Sequence, residues 1–236
     1  MPAAFGKRQL SVVRDAIVGC DRCPRLRAYC TDIARVKKRA YRDETYWGKP
    51  VPGFGDPNAR VLLVALAPAA HGANRTGRPF TGDGSGGSGD FLMAALHHAG
   101  FANIATSEHP RDGLVLRDAF ITSAARCAPP DNKPTPEELA NCSSHLGDEI
   151  DALPNVRFIV GLGKIGFDAY LRFLHSRGIA LRPKPVFAHG AFHKLPNGQV
   201  LIGCYHPSRQ NTYTGKLTPR MMRAVFAQVA RGLKAT

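Results

Sequence analysis

The run Arg60-Val-Leu-Leu-Val-Ala-Leu-Ala67, closed by Pro68, decides the fold class. After its first residue it is apolar without alternation, which suits a strand covered on both faces, as in a parallel sheet. Two similar runs follow, Asp118-Ala-Phe-Ile-Thr-Ser-Ala-Ala125 and Val156-Arg-Phe-Ile-Val-Gly-Leu-Gly163. A fourth, Val200-Leu-Ile-Gly-Cys-Tyr205, ends at His206-Pro207. Helical patterns lie between and after these runs. Asp90 is placed to cap a helix over residues 91–99, before Gly100. Thr135-Pro136-Glu137-Glu138 offers an N-cap, a proline at the first helical position and a glutamate that closes a capping box. Thr218-Pro219 opens the last helix, with Met222, Val225, Phe226 and Val229 along one face. Strands alternating with helices predict an α/β fold, a single-domain three-layer α/β/α sandwich with a mostly parallel central sheet. Ligands of such sheets bind beyond the carboxyl ends of the strands, which marks the segments after Ala67, Ala125, Gly163 and Tyr205.

Length and charge narrow the function. The 236 residues, 44% of them hydrophobic, suffice for one sizeable core, so residues 1–236 read as one domain. Lys and Arg number 32 against 18 Asp and Glu, and they recur along the whole chain, so the net charge of +14 belongs to the folded body. Such a surface attracts polyanions, and a nucleic-acid backbone fits it best. The N-terminal Met-Pro-Ala-Ala-Phe-Gly-Lys-Arg has no apolar stretch of signal-peptide length, and no segment has the run that a membrane span needs. The expectation is a cytoplasmic, monomeric protein without a membrane partner. In a reducing compartment six cysteines point to metal or redox chemistry before disulfides.

Cys20 and Cys23 form a Cys-x-x-Cys turn at the end of the first helical stretch, Cys127 follows a strand, and Cys142 sits on the next helix. Four thiolates from separate segments can hold a tetrahedral zinc or a cubane iron–sulfur cluster. Equally, Cys127 and Cys142 can be small buried hydrophobes, with only the close pair functional. Cys30 is near enough to the pair to substitute for a ligand, whereas Cys204, within an apolar strand run, reads as core.

The stretch 67–90 is long and glycine-rich, and irregular segments of that size are functional or disordered. It has neither a Walker lysine nor the dinucleotide fingerprint. Glycines let backbone amides approach an anion, and Phe80 offers a flat face on which a base can stack, or else a core side chain. Asp83, among glycines, can equally be a turn former. His206, at the carboxyl end of the last strand, opens a segment of hydroxyl, amide and basic side chains placed to meet a ligand and its phosphates.

These segments together resemble the uracil-DNA glycosylase superfamily and, within it, the iron–sulfur family 5, or type b. Ala65-Leu-Ala-Pro-Ala69 is similar to the family's first motif, Asn74-Arg-Thr-Gly-Arg-Pro-Phe-Thr-Gly-Asp83 to its extension, and His206-Pro-Ser208 to its second motif. The resemblance runs from Cys20 to about Lys216. It implies a [4Fe-4S] cluster on Cys20, Cys23, Cys127 and Cys142, and DNA with damaged bases as partner, double-stranded and in single strands as well. As in family 5, Ala67 stands where related families carry the residue that positions water, so that role passes to Asp83 and Asn132. Ser123 occupies the place of an asparagine that reads the base edge in family 4, which implies tolerance of further deaminated bases such as hypoxanthine. His206 is then the hydrogen-bond donor to the leaving base, Phe80 its stacking face, and the backbone near Ala67 and Ala69 an assistant. Ser208, Arg209 and Asn211 grip phosphates or fill the gap left by a flipped base.

Two other classes remain open on the residues alone. A non-catalytic zinc-type nucleic-acid binding module accounts for the charge and the cysteines. A nucleotide-handling α/β enzyme would use the glycine loop, but lacks a phosphate-binding lysine at the needed place.

Overall fold

A computed structural model describes residues 2–235, with side chains from Arg8 onward. Its strands are β1 (Phe54–Gly55), β2 (Val61–Ala65), β3 (Ala119–Ser123), β4 (Phe158–Leu162), β5 (Phe192–Lys194) and β6 (Val200–Cys204). Its α-helices are α1 (Pro2–Val18), α2 (Pro24–Val36), α3 (Ala73–Thr76), α4 (Ser88–His98), α5 (Pro136–Asp151), α6 (Lys164–Ser176), α7 (Arg209–Tyr213) and α8 (Pro219–Lys234). The strands form one sheet in the order β1-β3-β2-β4-β6-β5. The four apolar runs are its parallel centre. The short strands β1 and β5 add antiparallel edges that no apolar run announces.

The two faces of the sheet are buried under different helices. Val61, Leu63 and Ala65 of β2 pack with Leu92, Met93 and Leu96 of α4 and with Val225, Phe226 and Val229 of α8. Leu62 and Val64, pointing the other way, pack with Leu146 and Ile150 of α5 and with Phe167 and Tyr170 of α6. This is the expected three-layer arrangement. The capping box of Thr135 and Glu138 is formed, and Thr218 caps α8. Among the described residues no helix is long and apolar enough to cross a membrane.

One expected cap is displaced. The fourth helix begins at Ser88 with Gly87 as its N-cap, not at Asp90. Gly89 lies so close to the carbonyl of Phe80 that a Cβ there would come within 2.3 Å of its oxygen. The helix starts three residues earlier than expected, with Gly89 of its first turn against Phe80. Asp90, now inside the first turn, instead accepts hydrogen bonds from the amides of Gly86 and Ser107, each at 3.2 Å.

Helix α6 sits unusually close to the sheet, because a Cβ on Gly166 would stand 2.0 Å from the carbonyl oxygen of Val64. Both atoms at that contact would be fixed by backbone, so neither can yield cheaply. Gly166→Ala should therefore destabilise the fold by about 1–3 kcal/mol, read as a lower midpoint in urea denaturation. An unchanged midpoint would mean that α6 is free to lift from β2.

Candidate active site

The carboxyl ends of the central strands open into a cavity of about 680 Å³. The turn after β2 contributes Ala67 and Ala69, the end of β3 contributes Ser123, the start of α6 contributes Lys164 and Ile165, and the segment after β6 contributes His206, Ser208 and Arg209. Phe80 and Asp83 enter from the glycine-rich loop, and Asn132 from the turn before α5. Every cavity residue expected from sequence thus lines one space, except Asn211. Its side-chain amide donates instead to the carbonyl of His206 at 2.8 Å, so it props the histidine from behind.

The glycine-rich loop is braced by two of its charged residues. Arg75 and Arg78 are buried. Arg75 donates to the carbonyls of His71 (2.9 Å) and Gly82 (2.6 Å) and pairs with Glu44. Arg78 donates to Thr81 Oγ1 (2.8 Å) and Ser107 Oγ (3.1 Å) and pairs with Asp112 at 2.6 Å. A buried guanidinium left unpaired is costly, so the loop folds around these two. The segment read as irregular therefore contains α3, and hydrogen bonds from Arg75 and Arg78 tie down the chain around it.

Backbone strain gathers at the same place. Phe80, Asp131 and Asn132 all line the cavity and all have positive φ, at 50°, 53° and 56°. A bulky residue in that region is uncommon and persists where the surroundings dictate it. The half-buried Phe80 ring lies 5.6 Å from the His206 ring, centroid to centroid, with the planes tilted by 30°.

Burial shifts two of the titratable groups that line the cavity, His206 and Asp83. It pushes His206 down to about 4, so its imidazole is neutral at pH 7. It pushes Asp83 up to about 6, against a hydrogen bond from the Gly89 amide and the charge of Arg209. Arg209 also donates to the backbone carbonyl of Asp83 at 3.1 Å, tying the second motif to the loop. The site can thus offer a neutral N–H donor and a carboxylate that is a stronger base than usual.

The cysteines lie elsewhere. Cys23, Cys30 and Cys127 pack together with Leu26 and Ala128. Cys142 lies within electrostatic reach of Cys127 and Cys20, and Cys23 within reach of Cys142 and Cys127. Among the described residues no three His, Cys, Asp or Glu side chains are close enough to hold a single metal ion. The donor set nonetheless fits a wider, anionic cluster. Four thiols come from three segments, and N–H groups already address the sulfurs: Arg22 to Cys20 at 3.3 Å, Asn141 to Cys23 at 3.8 Å and Arg27 to Cys127 at 3.9 Å. Cys30 hydrogen-bonds to the Ala128 carbonyl at 3.5 Å and to the Cys127 thiol. Cys204 is fully buried in the core, as expected.

Lys164, Ile165, Gln210 and Asp131 also line the cavity, though sequence reading did not single them out. The first two follow directly from the marked end of β4.

The raised Asp83 carboxyl has a consequence for stability. Such a group favours the folded state fully below its unfolded value near 4, and that contribution is lost as pH rises through about 6. Asp83→Asn removes the buried charge. The variant should resist urea better than the parent at pH 8, and the gap should close as pH falls through 6 toward 4. A gap that does not change with pH would contradict the raised value.

The sequence pattern of the Uracil DNA glycosylase superfamily matches residues 52–230. The chain is 49% identical over 215 residues to the type-5 uracil-DNA glycosylase of Thermus thermophilus, covering 91% of this chain and 94% of the relative. It is 47% identical to the type-5 enzyme of Mycobacterium bovis, covering 97% and 83%. It is 42% identical to that of Pyrobaculum aerophilum, covering 91% and 89%. With these matches spanning the strand ends, the loop and the His206 segment together, the chain belongs to the uracil DNA glycosylase superfamily and falls with its type-5 members.

Proposed function

We propose that the protein is a monofunctional DNA glycosylase of base excision repair, hydrolysing the N-glycosidic bond of uracil in DNA and leaving an abasic site. One observation carries the residue roles: a neutral imidazole, a flat aromatic face and a basic carboxylate converge on one cavity at the carboxyl edge of the sheet. A base inside a duplex cannot reach such a cavity, so the nucleotide is flipped out, at an unstacking cost that is lowest for mispaired bases.

In this reading the bond between C1′ and the base nitrogen breaks with its electron pair leaving on the base. Negative charge grows on the base carbonyl while positive charge grows on the sugar. Neutral His206 donates its N–H to that carbonyl, and the bond strengthens as charge develops. Phe80 stacks on the ring, the amides near Ala67 and Ala69 assist, and Ser123 faces the base edge. A serine hydroxyl both donates and accepts, so hypoxanthine is accepted as well. Water adds its oxygen to C1′ and gives its proton to Asp83, with Asn132 orienting it. Ser208 and Arg209 hold the flanking phosphates, and Asn211 keeps His206 in place.

Cys20, Cys23, Cys127 and Cys142 would hold a [4Fe-4S] cluster that braces the segments around Cys20 and Cys127 and has no part in hydrolysis. The protein acts as a single-domain cytoplasmic monomer, associated with the nucleoid when on DNA, and takes double-stranded and single-stranded substrates.

The test incubates the protein with duplexes carrying uracil or hypoxanthine and then applies alkali. Strand breaks only after alkali are expected, with single-turnover excision about 10²–10³-fold slower in His206→Ala. The same preparation should contain iron and acid-labile sulfide. No breaks with any damaged base, in a colourless protein with stoichiometric zinc, would favour the zinc-type binding module instead.

A further inference from the structure

A second cavity, of about 390 Å³, opens behind the first. Ala69, Asp83, Asp131 and Asn132 line both, so the two spaces are divided by a ridge of these residues. The far wall of the second cavity comes from a different part of the chain. Tyr29 lies on α2, and Lys38 and Tyr41 lie on the basic segment that follows it. Its volume falls at the low end for ligand sites and is large enough for one nucleotide.

The polarity of this space is graded. Asp83 and Asp131 stand on the shared ridge. Exposed Lys38 stands opposite, in no ion pair among the described residues, with its Nζ 5.9 Å from the centre of the Tyr41 ring. Lys38 also borders a shallow depression that it shares with Arg39, Arg42 and Asp43, the last two paired at 3.6 Å. Between the two ends His71 presents an imidazole whose Nδ1 is engaged by the Tyr46 hydroxyl at 3.1 Å. Burial, with the charges of Lys38 and Arg75, pushes this imidazole down, so it is a neutral hydrogen-bonding group at pH 7. The carboxylates repel phosphate and accept from amino groups, whereas the lysine attracts phosphate. An occupant with a base at one end and a phosphate at the other matches this gradient.

We propose that the second cavity binds the nucleotide adjoining the excised one on the same strand, its base toward His71 and the Asp83–Asn132 ridge and its outer phosphate at Lys38, while the phosphate joining it to the excised nucleotide passes Arg209 at the ridge. The inference rests on the excision reading given above. A nucleotide flipped into the first cavity stays joined to each strand neighbour by one phosphodiester, so the strand has to leave across the rim of that cavity. The ridge is the boundary across which a base-sized space with a cationic mouth awaits it. Holding this neighbour would fix the sugar of the flipped nucleotide against Asp83, so the binding contributes to positioning as well as to affinity.

The test uses the whole protein and duplexes in which the uracil-bearing strand ends at the uracil nucleotide on its 5′ side or on its 3′ side, with the opposite strand kept full length. Removing the neighbour on one side only should lower kcat/KM about tenfold in the parent protein, the scale of one lost base contact. In Lys38→Glu the intact duplex should be cleaved more slowly, and the penalty for trimming that side should fall below about threefold. Lys38→Arg, which keeps the charge, should retain the full penalty. Equal rates on trimmed and intact duplexes in the parent protein, or a trimming penalty unchanged in Lys38→Glu, would overturn the inference. No excision by the parent protein from the intact duplex would instead defeat the uracil reading itself.

Discussion

Two buried guanidinium groups decide where the chemistry of this protein can sit. Arg75 and Arg78 lie in a segment with almost no regular structure, and each finds its partners only if the backbone turns back on itself. Satisfying them brings the Gly82 carbonyl, the Thr81 hydroxyl and Ser107 together and leaves Phe80 in a left-handed backbone conformation. Phe80 and Asp83 reach the cavity as a result. A glycine-rich loop without these two side chains would have the freedom to approach a ligand and nothing to hold it there.

The sheet supplies the second constraint. Because its four central strands are parallel and covered on both faces, their carboxyl ends face the same way, and His206, Ser123 and the Ala67 turn meet at one edge. Burial at that edge acts in opposite directions on charge. It removes the proton of an imidazolium and retains the proton of a carboxylic acid. The same desolvation therefore gives His206 its neutral form at physiological pH and raises the basicity of Asp83. A cavity open enough to hydrate both would leave the histidine partly protonated near neutral pH and the carboxylate a weaker base, a poorer match to an anionic leaving group and an attacking water.

The central architecture was legible because apolar runs and helix caps are local signals. The four central strands, the Thr135 capping box and the apolar face of the last helix all lie where their residues place them. The edge strands β1 and β5 were not legible, since two or three residues paired on one side carry no hydrophobic period. Asp90 had the right residue type for a cap, but the helix starts from Gly87, and Gly89 in its first turn has no side chain to keep it from the Phe80 carbonyl. Of the site, the motif residues were readable as candidates and their convergence was not, because it depends on Arg75 and Arg78, whose bracing partners Glu44, Gly82, Ser107 and Asp112 are not signalled by any local pattern. Lys38 and His71 gave no signal, since their shared cavity is closed by segments far apart in the chain.

The proposed chemistry depends on the protonation state of His206, since a neutral donor strengthens its bond to the departing base while an imidazolium would transfer its proton. Nuclear magnetic resonance titration of ring-labelled histidine, with His206→Gln to assign the signal, measures this directly. The imidazole should remain neutral down to about pH 4. Titration near 6.5, the value of a histidine in water, would contradict the electrostatic basis of the site.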